Sequence, residues 1–84
     1  MITDVFDTLV DNYLDAHRGL TAKELAARLD ISESLVRRAL DQLFDEERVT
    51  YDVNRVGQHG KVRRWEPTKR ELARLLRQAR KEEN

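Results

Sequence analysis

The chain has 84 residues, of which 39% are hydrophobic and 38% charged, and it contains no cysteine. A chain of this length buries only about 60–65% of its unfolded surface, so we expect a single domain over residues 1–84 without a deep catalytic cavity. The composition excludes disulfides and thiolate zinc sites, and no apolar run approaches the roughly 18 residues of a membrane span. We therefore expect a cytoplasmic protein with no secretory leader, no membrane partner and no cofactor.

Charge is distributed unevenly, although the formal net charge is zero. Residues 1–47 carry 5 basic and 11 acidic residues, whereas residues 48–84 carry 11 basic and 5 acidic residues. The two halves therefore have net charges of −6 and +6. Such asymmetry indicates an anionic partner for the second half more clearly than the total charge does.

A first amphipathic helix is predicted at the start of the chain. Its apolar residues recur with a period of 3.6 and share one face: Ile2, Val5, Phe6, Leu9, Val10, Tyr13 and Leu14. Asp4, Asp7, Asp11 and Asp15 fall on the other side, facing water. We expect the helix to end near Gly19, which can adopt a left-handed cap.

Two shorter helices follow over about residues 21–47. Thr21 and Glu24 have the spacing of a capping box, and Ser32 is placed to cap the next helix. The predicted inner face of the second helix consists of Leu25, Ala26 and Leu29. That of the third consists of Leu35, Val36, Ala39, Leu40, Leu43 and Phe44.

A β-hairpin is predicted over about residues 49–66, because the period then changes from 3.6 to 2. Gly57 and Gly60 flank a polar tip, as a hairpin turn requires, and Pro67 closes the return strand. A last helix is predicted over about residues 68–82, with Thr68 and Glu71 as a second capping box. The fold class is mainly α with a small hairpin, in the order helix, helix, turn, helix, hairpin, helix.

This order, with the residues of the second and third helices, resembles the winged helix-turn-helix superfamily. Ala26 stands at the family's small position, and its usual apolar positions hold Leu25, Leu29, Ile31, Val36 and Leu40. The family often has Gly where this chain has Asp30, a residue that also tolerates the left-handed conformation. The passage "RRWEPTKRELARLL" is similar to the strand-to-helix passage of MarR-, ArsR- and PadR-type repressors, whose final helix often dimerises. The resemblance implies a dimeric, DNA-binding transcriptional regulator.

The start of the third helix is the candidate reading element, because that part of a helix-turn-helix enters the major groove. Its candidate contacts to bases or phosphates are Ser32, Ser34, Arg37 and Arg38. The alternative is a solvated helix face crossed by ion pairs, with Arg37 paired to Asp41 four residues on.

The hairpin is the second candidate contact. Its basic residues are Arg55, His59, Lys61, Arg63 and Arg64. Basic hairpin tips suit a phosphate strand or the minor groove, whereas the alternative is a charged edge strand that prevents aggregation. Alternation places Arg63 and Arg64 on opposite faces, and it places Trp65 in the core rather than on a base.

The last helix carries a predicted dimer seam of Leu72, Leu75, Leu76 and Ala79. The alternative is a lid on the first helix of the same chain. No catalytic motif is visible, and His17 and His59 lack the spacing of metal ligands, so we expect neither an enzyme nor a metal site. Double-stranded DNA and a second copy are the expected partners. The alternative function is a winged helix protein–protein interaction module in a nucleic-acid-processing assembly, docking through the acidic first half.

Overall fold

The computed structural model describes residues 1–55 and 61–82, with the backbone alone at residues 54, 55, 61, 81 and 82. Its elements, in chain order, are α1 (Ile2–Ala16), α2 (Ala22–Leu29), α3 (Glu33–Asp45), β1 (Val49–Arg55), β2 (Lys61–Pro67) and α4 (Lys69–Glu82). This confirms the predicted mainly α fold with one antiparallel hairpin. No helix within the described ranges is long and apolar enough to cross a membrane.

One hydrophobic core joins α1, α2, α3 and the base of the hairpin. Its members come from the predicted apolar stripes and are almost fully buried: Val5, Phe6, Leu9, Val10, Leu20, Leu25, Val36, Ala39, Leu40, Leu43, Val49 and Trp65. Trp65 retains 5% exposure, which confirms the prediction that this side chain belongs to the core. Burial of these apolar surfaces is the main source of stability for so short a chain.

The residue that caps α1 differs from the prediction. His17, not Gly19, is the left-handed cap, with φ 56° and ψ 35°, and its N–H donates to the Tyr13 carbonyl at 2.8 Å. The buried Asn12 amide holds the following loop by donating to the Arg18 carbonyl at 2.9 Å. The helix therefore ends two residues earlier than Gly19, because that glycine serves a close contact instead.

Gly19 is the point at which the α1–α2 loop meets the hairpin. A Cβ atom on Gly19 would lie 2.4 Å from the Trp65 carbonyl oxygen. The next residue, Leu20, exchanges two backbone hydrogen bonds with Trp65, at 2.9 and 2.8 Å. Leu20 thus adds a short bridge to β2 and ties the helical part of the chain to the hairpin.

The caps of α2 and α3 follow the sequence closely. Both bonds of the Thr21–Glu24 capping box are present, at 3.1 and 3.0 Å. Asp30 closes α2 in the left-handed conformation, with φ 55°, and the Ser32 hydroxyl accepts from the Leu35 N–H at 3.3 Å. These local bonds are the caps that the sequence predicts for the two helices.

Three predicted inner residues are partly exposed instead. Leu14 is 54%, Leu35 38% and Phe44 44% exposed. Each lies at the edge of its apolar stripe, where the neighbouring elements cover the side chain only in part. The apolar pattern was therefore wider than the buried face.

The hairpin pairs β1 with β2 from Val49 opposite Pro67 to Arg55 opposite Lys61. Tyr51 lies opposite Trp65, with ring centroids 4.9 Å apart, and the Phe44 ring of α3 lies 5.5 Å from Tyr51. These aromatic rings join the hairpin to the end of α3. The predicted turn glycines, Gly57 and Gly60, lie outside the described residues.

Arg48, just before β1, connects α1, the hairpin and α4. Its guanidinium lies 4.2 Å from the centroid of the Phe6 ring and 3.4 Å from the Glu71 carboxylate. Its carbonyl accepts from the Thr68 N–H at 3.1 Å. The second capping box is therefore only half formed. The Thr68 hydroxyl accepts from the Glu71 N–H at 3.3 Å, whereas the Glu71 side chain is 11% exposed and pairs with Arg48.

Substitution Gly19→Ala should destabilise the fold by about 1–3 kcal/mol, because the new methyl group meets backbone that cannot move without breaking the bridge to Trp65. Urea denaturation measures this loss. Ala27→Ser, which also adds one heavy atom but at an exposed position of α2, is the matched control and should change little. An unchanged midpoint for Gly19→Ala would contradict the close contact.

Substitution Glu71→Gln should lower stability by about 1–3 kcal/mol, since Arg48 would lose its best-buried charged partner. Amide hydrogen exchange should also become faster at the start of α4. Glu46→Gln is the control, because Glu46 faces the same guanidinium at 4.0 Å with a side chain that is 45% exposed. Equal effects of the two substitutions would show that Glu71 does not hold α4.

Candidate nucleic-acid interface

An open groove of about 500 Å³ runs between α3 and the hairpin, beside the start of α2. Its walls bring together three elements that are far apart in sequence. The lining residues are Thr21, Ala22, Lys23, Glu33, Arg37, Asp41, Val62, Arg63 and Trp65. Two of the predicted contact residues, Arg37 and Arg63, therefore share one surface.

The first turn of α3 presents part of the predicted reading surface. Ser34 and Arg38 are exposed. Ser32 is also exposed, but its hydroxyl oxygen already accepts the Leu35 N–H. A hydroxyl still has a donor when its oxygen caps a helix, so Ser32 can donate to a phosphate without losing the cap.

Arg37 is held by Glu33, one turn earlier on α3. The guanidinium donates to the Glu33 carboxylate at 3.0 Å, and the Arg37 side chain remains 69% exposed. The predicted alternative pair with Asp41 is absent from the ion pairs of the described residues, although Asp41 lines the same groove. Arg37 has five N–H donors, so a single bond to Glu33 orients the fork and leaves donors for a partner.

Arg63 reaches the same groove from the hairpin. Its guanidinium carbon lies 4.5 Å from the centroid of the Tyr51 ring, on the adjacent strand. Stacking on an aromatic face limits the conformations of an arginine without consuming its hydrogen-bond donors. Arg63 is therefore a partly ordered cation at the groove wall.

Arg64 points to the other face of the hairpin, as the alternation predicts. Its guanidinium lies 3.7 Å from the Glu24 carboxylate, and its side chain is 34% exposed. The backbone hydrogen bond from Thr21 is the main reason why the pKa of Glu24 lies below its usual value of 4.5, and Arg64 lowers it further. Arg64 thus helps to hold the hairpin against α2.

Three other predicted contacts cannot be placed in the groove. His59 lies outside the described residues, and so do the side chains of Arg55 and Lys61. The backbone positions of Arg55 and Lys61 are opposite each other, at the end of the hairpin farthest from the core.

Lys23 is a groove residue that the sequence alone did not indicate. It lies in the first turn of α2, and no periodic pattern shows that this turn borders the hairpin. Glu33 and Asp41, two acidic residues of α3, also line the groove. The groove is consequently mixed in charge, with Lys23, Arg37 and Arg63 against these two carboxylates.

The predicted dimer residues of α4 differ in their surroundings. Leu75 packs against the core, and Leu72 is half-buried. Leu76 is 60% exposed, and Ala79 is exposed as well. The side of α4 that carries Leu76 is therefore not covered by the rest of the described chain.

In residues 1–55 and 61–82, no group of three or more His, Asp or Glu side chains is placed to hold a metal ion. Within the described residues, the groove beside α3 combines three cations with a defined shape.

Comparison with known families agrees with the fold. A family model described as winged helix-turn-helix DNA-binding matches residues 12–50, from the middle of α1 to the start of β1. Residues 12–50 are thus similar to the winged helix-turn-helix DNA-binding family, and the hairpin and α4 that follow complete the winged helix-turn-helix arrangement. The match does not single out the MarR, ArsR or PadR type, and no curated protein matches the sequence significantly.

Stability should depend on pH through Glu24. A carboxyl group with a lowered folded-state pKa stabilises the fold above its unfolded pKa, and this contribution is lost as the pH falls through the folded-state pKa. Glu24→Gln should therefore cost roughly 0.5 kcal/mol near neutral pH, with the difference from the wild type vanishing in acid below the lowered pKa. Urea denaturation across a pH series measures this difference. The control is Glu33→Gln, in the first turn of α3 but outside a capping box; an equal pH dependence there would contradict a special role for Glu24.

Proposed function

We propose that the protein is a dimeric transcriptional regulator that binds double-stranded DNA sequence-specifically. In this proposal the start of α3 enters the major groove, and the hairpin lies along the backbone or the minor groove. Base contacts come from Arg37, with phosphate contacts from Ser32, Ser34, Arg38 and the basic hairpin residues. The observation that carries the proposal is the shared groove of Arg37 and Arg63 within a winged helix-turn-helix domain.

The pairing of Arg37 with Glu33 supports base reading. Arginine recognises guanine through two parallel hydrogen bonds to O6 and N7, which require a defined orientation of the guanidinium plane. A bond of 3.0 Å to Glu33 supplies such an orientation before DNA arrives. Arg38, on the next residue, projects to a different side of the helix and suits a phosphate.

The hairpin and α2 support phosphate binding on either side of α3. Arg63 is ordered by Tyr51, and Lys23 lies in the first turn of α2, where the positive end of the helix dipole adds to its charge. Each phosphate neutralised by such a cation releases condensed counterions, so affinity falls as salt rises.

The exposed side of α4 supports the dimer. Leu76 and Ala79 are apolar and exposed on a helix that follows directly on the hairpin. A two-fold dimer places two copies of α3 on successive turns of one DNA face, which doubles the contacts that a short α3 can make.

A protein–protein interaction module remains the alternative function, because the groove is mixed in charge. Glu33 and Asp41 lie beside its three cations, and Phe44 is 44% exposed nearby. A protein partner with both charged and aromatic side chains would also fit such a surface.

Fluorescence anisotropy with duplex DNA over a salt series tests the two functions. We expect the wild type to bind with an affinity that falls steeply as salt rises, because of counterion release. Arg37→Ala/Arg38→Ala should weaken binding at least about tenfold, the loss of one good base contact being worth about 1–3 kcal/mol.

Arg18→Ala/Arg28→Ala is the matched control, since both arginines are exposed and neither lines the groove. The control should bind nearly as well as the wild type. Equal weakening by the two pairs would mean that α3 has no special part in binding. Absence of binding by the wild type at low salt would contradict the DNA-binding proposal and favour the interaction module.

A further inference from the structure

One side of α4 is covered by its own chain and the other is open. Glu71 and Leu75 lie on the covered side, paired with Arg48 and packed against the core. Leu76 is offset from Leu75 by one residue, about 100° around the helix, and is 60% exposed. The open side therefore contains an apolar strip of Leu72, Leu76 and Ala79, with Lys69 and Arg80 beside it.

Charge argues against a second α4 as the occupant of this open side. Between Lys69 and Arg80 the helix carries five basic residues and a single acidic one, Glu71, which is already paired. Two such helices placed side by side would bring basic side chains together, and like charges across an interface oppose association. The open side needs an acidic helix with an exposed apolar residue.

The surface of α1 meets this requirement. Helix α1 has four aspartates and no basic residue, and the aspartates lie along the side turned away from the core: Asp4, Asp7, Asp11 and Asp15. Leu14 lies beside this acidic row and is 54% exposed. Like charges four residues apart destabilise a helix, and within the described residues the row has one ion pair, between Asp4 and the N-terminal amine at 3.8 Å.

We propose that α4 of one copy packs on the acidic row of α1 of a second copy, and that the second copy's α4 packs reciprocally on the first. This inference rests on the dimer of the proposed function and names its two surfaces. Helix α4 has 14 residues and α1 has 15, so the two helices have similar lengths of about 21–22 Å. With the two helices antiparallel and Leu76 of one copy against Leu14 of the other, Arg77 faces Asp11 and Arg80 faces Asp7.

Such a pairing is isologous, because each copy contributes one acidic and one basic helix. It explains why the two halves of the chain carry net charges of −6 and +6 while the whole is neutral. It also keeps the groove beside α3 out of the interface, since neither α1 nor α4 contributes to the groove lining.

Sedimentation equilibrium on the full chain, with two charge-reversal variants, tests the pairing. Asp7→Lys/Asp11→Lys and Arg77→Glu/Arg80→Glu should each raise the dimer dissociation constant at least about tenfold, because each turns attraction into repulsion. An equimolar mixture of the two variants should dimerise again, since every α1–α4 contact in the mixed dimer has opposite charges. Dimerisation of the wild type should weaken as salt rises.

Asp41→Lys/Asp45→Lys is the matched control, because it also reverses two exposed aspartates four residues apart, on α3. It should dimerise like the wild type. The neutral variant Asp7→Asn/Asp11→Asn should give an intermediate constant, and circular dichroism checks that each variant is folded.

Variants that dimerise like the wild type, or fail to recover in the mixture, would overturn the α1–α4 pairing while leaving the dimer itself in place. A wild type that stays monomeric at all concentrations would overturn both the pairing and the dimer. DNA binding is judged separately by the anisotropy measurement.

Discussion

Two backbone hydrogen bonds between Leu20 and Trp65 hold the parts of this molecule in one arrangement. They fasten the loop between α1 and α2 to the middle of β2, and Gly19 permits the approach because a side chain there would collide with the Trp65 carbonyl. The capping box of α2 follows this bridge directly in sequence, and its first residue, Thr21, also lines the groove. This contact, formed mainly by backbone atoms, fixes the positions of α2 and the hairpin relative to α3. It therefore also fixes the shape of the groove.

Local signals in the sequence predicted the elements well. The Thr21–Glu24 box, the Ser32 cap and the alternation around Tyr51 depend on neighbouring residues only, so short spacings are enough to reveal them. Contacts between distant segments were less accessible. Glu71 pairs with Arg48 instead of completing its own cap, and the cap of α1 is His17 because Gly19 is needed against Trp65. In each case a tertiary contact outweighs a sound local preference.

The sequence alone reveals only some of the residues that line the candidate groove, because the groove depends on contacts between distant segments. Arg37 and Arg63 could be named from the fold, but their supports, Glu33 and Tyr51, emerge only from the packing. Lys23 was missed because its place beside the hairpin is a property of the topology. Arg64 was grouped with the contact residues by charge, whereas the structure pairs it with Glu24. Basic residues in this chain therefore either line the groove or form ion pairs between elements. Their positions in the structure distinguish these two roles better than the composition does.

The junction around Arg48 and Thr68 gives α4 a further significance. The chain passes from β2 to α4 through Thr68 alone, and the direction of the helix is set there by the Arg48 carbonyl and the Glu71 carboxylate. If two copies are joined through α4, this direction fixes the distance and angle between their α3 helices. Two α3 helices on one DNA face must be separated by about 34–36 Å to meet successive turns. The half-site spacing of an operator would then be encoded in a junction that touches no nucleotide.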